Sequence, residues 1–213
     1  MIHVKSFTFN AFGENTYIVY DSDTKDAIIF DPGCYTINEQ KMLKKFIDDT
    51  ELSIKKLINT HCHLDHVFGN PFITHMYGIE LECHRLEIPV LARAPIAGDM
   101  YGVPTPAQPV PTLFIEDSDI VEVGNIRLRA ILAPGHSPGS LCFYSESGDF
   151  LIGGDVLFFK SIGRTDLPGG NHKQLIESIQ NRLFTLPETV KVYSGHGIPT
   201  TIGFEKYNNP FLI

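Results

Sequence analysis

The feature that most constrains this chain is the run His61-Cys62-His63-Leu64-Asp65-His66. It comes directly after a strand-like segment at residues 54–58. Alternate residues of an extended chain point to one side, so His61 and His63 face the same way. Asp65 and His66 follow where the chain turns into a short helix. Three imidazoles and a carboxylate within six residues cannot easily all be satisfied as ordinary core groups. Imidazole suits zinc, iron, copper or nickel, and a strand end leading into a tight turn is a rigid platform for ligands. One such cluster supplies at most two ligands to each of two ions, so the fold has to bring further donors to this turn.

Three candidates sit where predicted strands end. His136 follows Leu132-Ala133-Pro134-Gly135, Asp155 follows Leu151-Ile152-Gly153-Gly154, and His196 follows Val192-Tyr193-Ser194-Gly195. Each is flanked by glycine, which lets backbone pass close to a crowded site. The repeated placement at strand ends carries more weight than any one residue.

The remaining pattern supplies the frame. Residues 4–9, 15–20 and 27–30 are rich in β-branched and aromatic side chains and read as strands. Asp31-Pro32-Gly33 breaks the pattern. Thr36 and Glu39 then fit a capping box that opens a helix, with Met42, Leu43, Phe46 and Ile47 on its buried face. A strand is expected at 79–82. Residues 94–112, rich in Pro, Ala and Gly, read as a long surface loop. The second half repeats the style, with strands at 120–123, 126–132, 141–144, 150–152 and 190–193. Asn171 and Gln174 open a helix striped by Leu175, Ile176, Ile179 and Leu183. Strands followed by a helix in each half predict two β-rich layers packed face to face with helices outside.

Length and composition, 213 residues with 43% hydrophobic and 20% charged, fit one domain over residues 1–213 with a sizeable core. A net charge of -8 and the lack of any basic run speak against nucleic acid as a partner. The start, Met1-Ile2-His3-Val4-Lys5, lacks the apolar stretch of a signal peptide, and no segment reads as a membrane span, so the cytoplasm is expected. Cys34, Cys62, Cys83 and Cys142 form no CxxC pair and read as free buried thiols. Cys62 lies between two candidate ligands but points away from them. His3, His75 and His84 are expected to be structural or exposed, and His172 to lie at a surface helix start.

Gly135-His136-Ser137-Pro138-Gly139 also matches G-x-S-x-G, the nucleophile elbow of serine hydrolases. In that motif the backbone N–H after the serine lines the oxyanion hole. Here that residue is Pro138, which has no N–H, and a strand rather than a helix follows. A serine mechanism is therefore not expected.

The HxHxDH run resembles the signature of the metallo-β-lactamase superfamily, and His136, Asp155 and His196 fall where that superfamily has its remaining ligands. The resemblance extends from Asn15-Thr16-Tyr17 and Asp31-Pro32-Gly33 to His196. Residues 133–140 (Ala-Pro-Gly-His-Ser-Pro-Gly-Ser) and 163–170 (Gly-Arg-Thr-Asp-Leu-Pro-Gly-Gly) look most like the short bacterial form of the glyoxalase II, or hydroxyacylglutathione hydrolase, branch. The resemblance implies an α/β fold, a four-layer αβ/βα sandwich of two mixed sheets flanked by helices. It implies one metal on His61, His63 and His136, a second on Asp65, His66 and His196, and Asp155 bridging both. Zinc is the expected metal, with iron or manganese as alternatives. The two ions would share a water and lower its pKa from about 16 toward neutrality, for attack on a thioester or ester carbonyl. Asp65 and Asp155 take the catalytic roles, Asp65 orienting the water. Arg164 lies where the family has a basic residue near the glutathione carboxylate. Asp166 stands where the longer enzymes have a tyrosine, and the chain ends at Ile213 without their C-terminal glutathione-binding helices.

Thioester hydrolysis is thus the leading expectation. Its nearest rival is a persulfide dioxygenase of the same fold, with one iron on the equivalents of His61, His136 and Asp155. A lactonase or other esterase is a third option. A non-enzymatic binding module would be expected to have lost ligands, and this chain keeps all seven.

Overall fold

The computed structural model describes residues 1–213 and begins with three antiparallel strands, β1 (Ile2–Phe9), β2 (Glu14–Asp21) and β3 (Asp26–Phe30). β4 (Ser53–Ile58), β5 (Leu81–Cys83) and β6 (Leu113–Phe114) extend this sheet in parallel from β3, giving six strands in the order of the chain. The second sheet starts as an antiparallel meander of β7 (Ile120–Val123), β8 (Ile126–Leu132), β9 (Leu141–Ser145) and β10 (Phe150–Gly154). A small ribbon, β11 (Leu157–Phe158) with β12 (Ser161–Ile162), follows. β13 (Lys191–Ser194) then returns parallel to β10, and β14 (Thr200–Thr201) closes the edge.

Period-2 alternation sorts the strand residues into three apolar layers. Tyr17, Val19, Ile28, Phe30 and Ile58 of the first sheet meet Leu128, Ala130, Leu141, Phe143 and Ile152 of the second, forming the central layer. Their chain neighbours Ile18, Ile29 and Leu57 face outward. They pack on Leu43 and Ile47 of α1 (Ile37–Asp49) and on Ile73 of α3 (Asn70–Tyr77). On the far side Ile131, Cys142, Leu151 and Val192 pack on Leu175, Ile179 and Leu183. Those three come from α6 (His172–Ser178) and its wider-wound continuation, Ile179–Leu183. Ile202, the first residue of α7 (Ile202–Asn208), joins them. Strands buried on both faces between helices are what a continuous apolar β3, Ala27-Ile28-Ile29-Phe30, requires. The architecture is the expected four-layer αβ/βα sandwich.

The capping box forms as read: the Thr36 hydroxyl accepts from the Glu39 N–H, and the Glu39 carboxylate accepts from the Thr36 N–H. Two expectations need correction. Met42 is 57% exposed, because it lies off the Leu43–Ile47 stripe that faces the sheet. Residues 94–112 are not one loop. They begin with α5 (Ala94–Tyr101), preceded by α2 (Leu64–Val67), α3 and α4 (Ile88–Ala92). Pro71, Pro89 and Pro95 each occupy the first turn of a helix, where the missing N–H costs nothing. Pro95, part of the stretch read as a loop, thus starts a helix. No helix is long and apolar enough to cross a membrane.

Candidate metal centre

One edge of the sandwich collects the C-terminal ends of β3, β4, β8, β10 and β13, and the loops leaving them carry all seven candidate ligands. The edge is stitched across the sheets. The Leu141 N–H donates to the Thr60 carbonyl (2.9 Å), and Asn15 Nδ2 donates to the Ser194 and Gly197 carbonyls (3.1 and 2.9 Å). The Tyr17 hydroxyl also donates to the Ser194 carbonyl, at 2.6 Å. The loop bearing His196 is thereby held against β2. Gly195 permits a close approach, since a Cβ there would fall 2.1 Å from Asp155 Oδ1 and 2.8 Å from His66 Cε1.

The seven residues converge as two donor sets. His61, His63 and His136 form one, and Asp65, His66 and His196 the other, with the ligand atoms of each within 4.8 Å of one another. Asp155 stands between them: its Oδ2 is 3.5 Å from Nε2 of both His136 and His196, and its Oδ1 is 3.5 Å from His66 Nε2. Asp65 Oδ2 is 3.1 Å from His196 Nε2.

The hydrogen-bond network assigns the tautomers, and the assignment points to cations. Thr60 gives its only hydroxyl proton to Asp31 Oδ2 (2.6 Å), so its oxygen can only accept from His61 Nδ1, 3.1 Å away. His61 Nε2 then carries a lone pair. His136 Nδ1 donates to the Arg164 carbonyl (2.7 Å), leaving a lone pair on its Nε2 as well. These two nitrogens are 3.2 Å apart, with His63 Nδ1 2.8 Å from the second. Burial, reinforced by the neighbouring imidazoles, holds His61 well below its ordinary pKa and His63 down at about 3; burial also lowers His136. Three neutral rings thus present three converging nitrogens and at most one proton among them. A divalent metal ion relieves that arrangement.

The second set shows the same deficit in another form. Both ring nitrogens of His66 and Asp155 Oδ1 are buried without an aligned hydrogen bond. Burial pulls the His66 imidazole down, but the Asp155 and Asp65 carboxylates outweigh it and hold it well above its ordinary pKa. Burial likewise pulls His196 down, and the Asp65 hydrogen bond with the Asp155 charge overcomes it. Burial pushes Asp65 and Asp155 up, and the surrounding imidazoles, His66 foremost, keep both below the usual carboxylate range. The carboxylates thus favour positive charge at His66 and His196, the charge that a divalent ion would supply. The donor chemistry fits divalent metal ions.

Residues that the sequence reading passed over hold these ligands in place. Asp31, read as a breaker and as part of the family resemblance but not as a site residue, directly follows β3 on the same edge. It accepts from the Thr60 N–H (2.7 Å), and its Oδ2 lies 3.2 Å from His66 Nδ1. Asp31 therefore orients His61 through Thr60 and sets a carboxylate charge behind His66, as carboxylates behind metal-binding imidazoles do. Its position at a strand end, the signal that singled out Asp155, was available in the sequence. Glu87 left no comparable signal. Fully buried, it accepts from the Cys62 N–H (2.8 Å), the Ser137 hydroxyl (2.6 Å) and the Gly139 N–H (2.7 Å). It clamps the 61–66 turn to the loop of His136. Ser137 faces inward to Glu87 and the chain continues into β9, so no nucleophile elbow forms. All four cysteines are free and buried, and Cys62 packs in the first sheet's outer layer. His84 is buried, its Nε2 3.2 Å from Glu116. Asn171, not His172, caps α6.

The donors open into a cavity of about 980 Å³. One wall is α5 with Leu86 and Val90; the other is Phe158, Ile162 and the 164–169 loop. Arg164 lines it, its Nε and Nη2 donating to Asp166 at 2.7 Å each.

A family model described as the metallo-beta-lactamase superfamily matches residues 10–196. The probable metallo-hydrolase YqgX of Bacillus subtilis is 36% identical over 200 residues, covering 93% of this chain and 92% of that protein. The hydroxyacylglutathione hydrolase GloC of Haemophilus influenzae is 33% identical over 213 residues, covering 99% and 98%. Among solved structures, the BLEG-1 B3 metallo-beta-lactamase superposes with a TM-score of 0.89 at 34% identity over 99% of each chain. TTHA1623, solved in a di-iron-bound form, does so with 0.87 at 32% over 98% of this chain and 100% of its own. The chain belongs to the metallo-beta-lactamase superfamily and is a metal-dependent hydrolase of that family.

Proposed function

We propose that residues 1–213 form a single metallo-β-lactamase-like domain acting as a binuclear thioesterase of glyoxalase II type, on S-acylglutathione or a related small thioester. The observation that carries this reading is the position of Asp155, whose carboxylate lies 3.5 Å from imidazoles of both donor sets. His61, His63 and His136 would hold one ion, Asp65, His66 and His196 the other, with Asp155 shared. Two divalent ions supply an activated water at neutral pH and polarise a carbonyl oxygen.

The chain's own side chains do the rest. His61, His63 and His136 stay neutral, so their lone pairs remain available as ligands. Asp65 stays ionised beside His196, ready to accept a hydrogen bond from water and fix its orientation. A thiolate leaves without strong acid assistance, which suits a site with no nearby neutral carboxylic acid among its ligands. The mononuclear-iron alternative would use His61, His136 and Asp155 and leave the Asp65, His66 and His196 set idle. Zinc is the proposed metal. A relative in di-iron form makes iron its main competitor, with manganese next. Four free, buried cysteines suit a reducing compartment such as the cytoplasm.

The test is metal quantitation after reconstitution, followed by S-lactoylglutathione hydrolysis and oxygen uptake with a persulfide. Two ions per chain with thioester turnover is the expected result. Oxygen consumption with one iron per chain would overturn the reading.

A further inference from the structure

The chain has six arginines: Arg85, Arg93, Arg127, Arg129, Arg164 and Arg182. Four are ion-paired, with Glu116, Glu122, Asp166 and Asp117 as the partners of Arg85, Arg127, Arg164 and Arg182. Arg129 lies over the ring of Tyr144. Only Arg93 has neither a carboxylate nor an aromatic face, in a chain whose acids outnumber its Lys and Arg by 25 to 17. It is exposed, and it lines the cavity that holds the metal donors.

Its surroundings are equally selective. Arg93, Ile96, Ala97 and Met100 all line that cavity, and their i, i+3, i+4, i+7 spacing places them on one face at and along α5. Ala94, at the cavity's edge, and Gly98, which does not line it, are buried. A Cβ at Gly98 would stand 2.5 Å from Thr105 Oγ1 and 2.6 Å from the Val103 carbonyl, so this glycine seats α5 tightly on the following turn. That seating fixes the rotation of the helix and turns the Arg93 face to the cavity. Ile96 is 63% and Met100 82% exposed, apolar surface with no cover from the protein itself.

We propose that this face is a substrate subsite, taking a thioester with an apolar arm along Ile96 and Met100 and a carboxylate bound by Arg93. The proposal rests on the thioesterase reading of the site. A guanidinium matches a carboxylate with two parallel N–H donors and stays charged at any working pH. Arg164, on the opposite wall, already directs two donors to Asp166, so a substrate carboxylate there must compete with that pair. At Arg93 nothing has to be displaced but water. The methylenes of the arm cover Ile96 and Met100, gaining the burial those side chains lack.

The probes are S-hexyl-3-mercaptopropionate, a thioether with no scissile bond, and its neutral methyl ester, checked by mass spectrometry to be intact after each run, titrated calorimetrically into the metal-loaded protein. The acid should bind about tenfold more tightly than the ester, in line with a charge-assisted hydrogen-bonded pair. Arg93→Ala should erase that preference while leaving the ester's affinity unchanged; Arg93→Lys should keep part of it, and Arg164→Ala all of it. Shortening the hexyl arm to methyl should weaken both compounds. Equal binding of acid and ester by the unaltered protein, or a preference that survives Arg93→Ala, would overturn the proposal. Turnover of the matching thioesters is scored separately. An Arg93-dependent preference without hydrolysis would leave the subsite standing and defeat the thioesterase reading, and hydrolysis without the preference would do the reverse.

Discussion

The floor and the α5 wall of the cavity are built on opposite terms. On the floor nearly every group is buried and tied down by a second contact. His61 is held by Thr60, His66 by Asp31, His136 by the Arg164 carbonyl, and both ligand loops by Glu87. On the wall, Arg93, Ile96 and Met100 project from a two-turn helix and touch little. Chemistry needs atoms fixed to fractions of an ångström, and so demands supporting contacts. Recognition of a flexible arm needs surface that is still uncovered. On the proposed reading, the contrast keeps reactivity and selectivity on separate elements, so that each can be altered alone.

The largest expected effect comes from the floor. Asp155→Ala should lower activity by about 10³-fold or more, since each 1.36 kcal/mol of lost transition-state stabilisation is a factor of ten. Metal content should fall with it, by elemental analysis. Full metal occupancy in this variant would break the view that Asp155 joins the two donor sets.

Next is pH. In the metal-free protein the neighbouring carboxylates favour protons on His66 and His196, and an entering ion has to expel any proton held there. Below those raised pKa values, each unit of acidification should therefore weaken metal binding, by up to about 100-fold if both protons leave. Above them the dependence should vanish. Calorimetry in buffers of different ionisation enthalpy reads the released protons directly, and zero release at neutral pH would contradict the charge balance described here.

Glu87→Ala should follow, with metal affinity reduced about 10–100-fold, as for other groups that hold ligands from behind. Chelator competition measures it. Glu87→Gln, which keeps an acceptor oxygen, should recover part of the loss. On the wall the effect should be smaller and of a different kind: Gly98→Ala should cost about 1–3 kcal/mol of stability through overpacking against Thr105. It should raise KM with little change in kcat or metal content. A fall in kcat equal to that of a floor variant would erase the distinction between the two regions.

The same division governs what could be read from the sequence. The seven candidate ligands stood out because strands end there and because His61, His63, Asp65 and His66 are packed into one turn. The Thr36–Glu39 cap and the period-2 strands were equally local signals, and they formed as read. The α3–α5 region was not legible. Its helices are short, open on prolines and bury few residues each, so tertiary contacts rather than local propensity decide them. Glu87 was invisible for another reason: it acts through backbone N–H groups of residues 25 and 52 positions away, and backbone partners leave no residue-type signature.

The central claim is that two donor sets share Asp155. Anomalous diffraction from crystals of the metal-loaded protein tests it most directly. Two peaks should appear, one among His61, His63 and His136 and one among Asp65, His66 and His196, with the Asp155 carboxylate touching both. A single fully occupied peak under saturating metal, with Asp155 bound to that ion alone, would contradict the account.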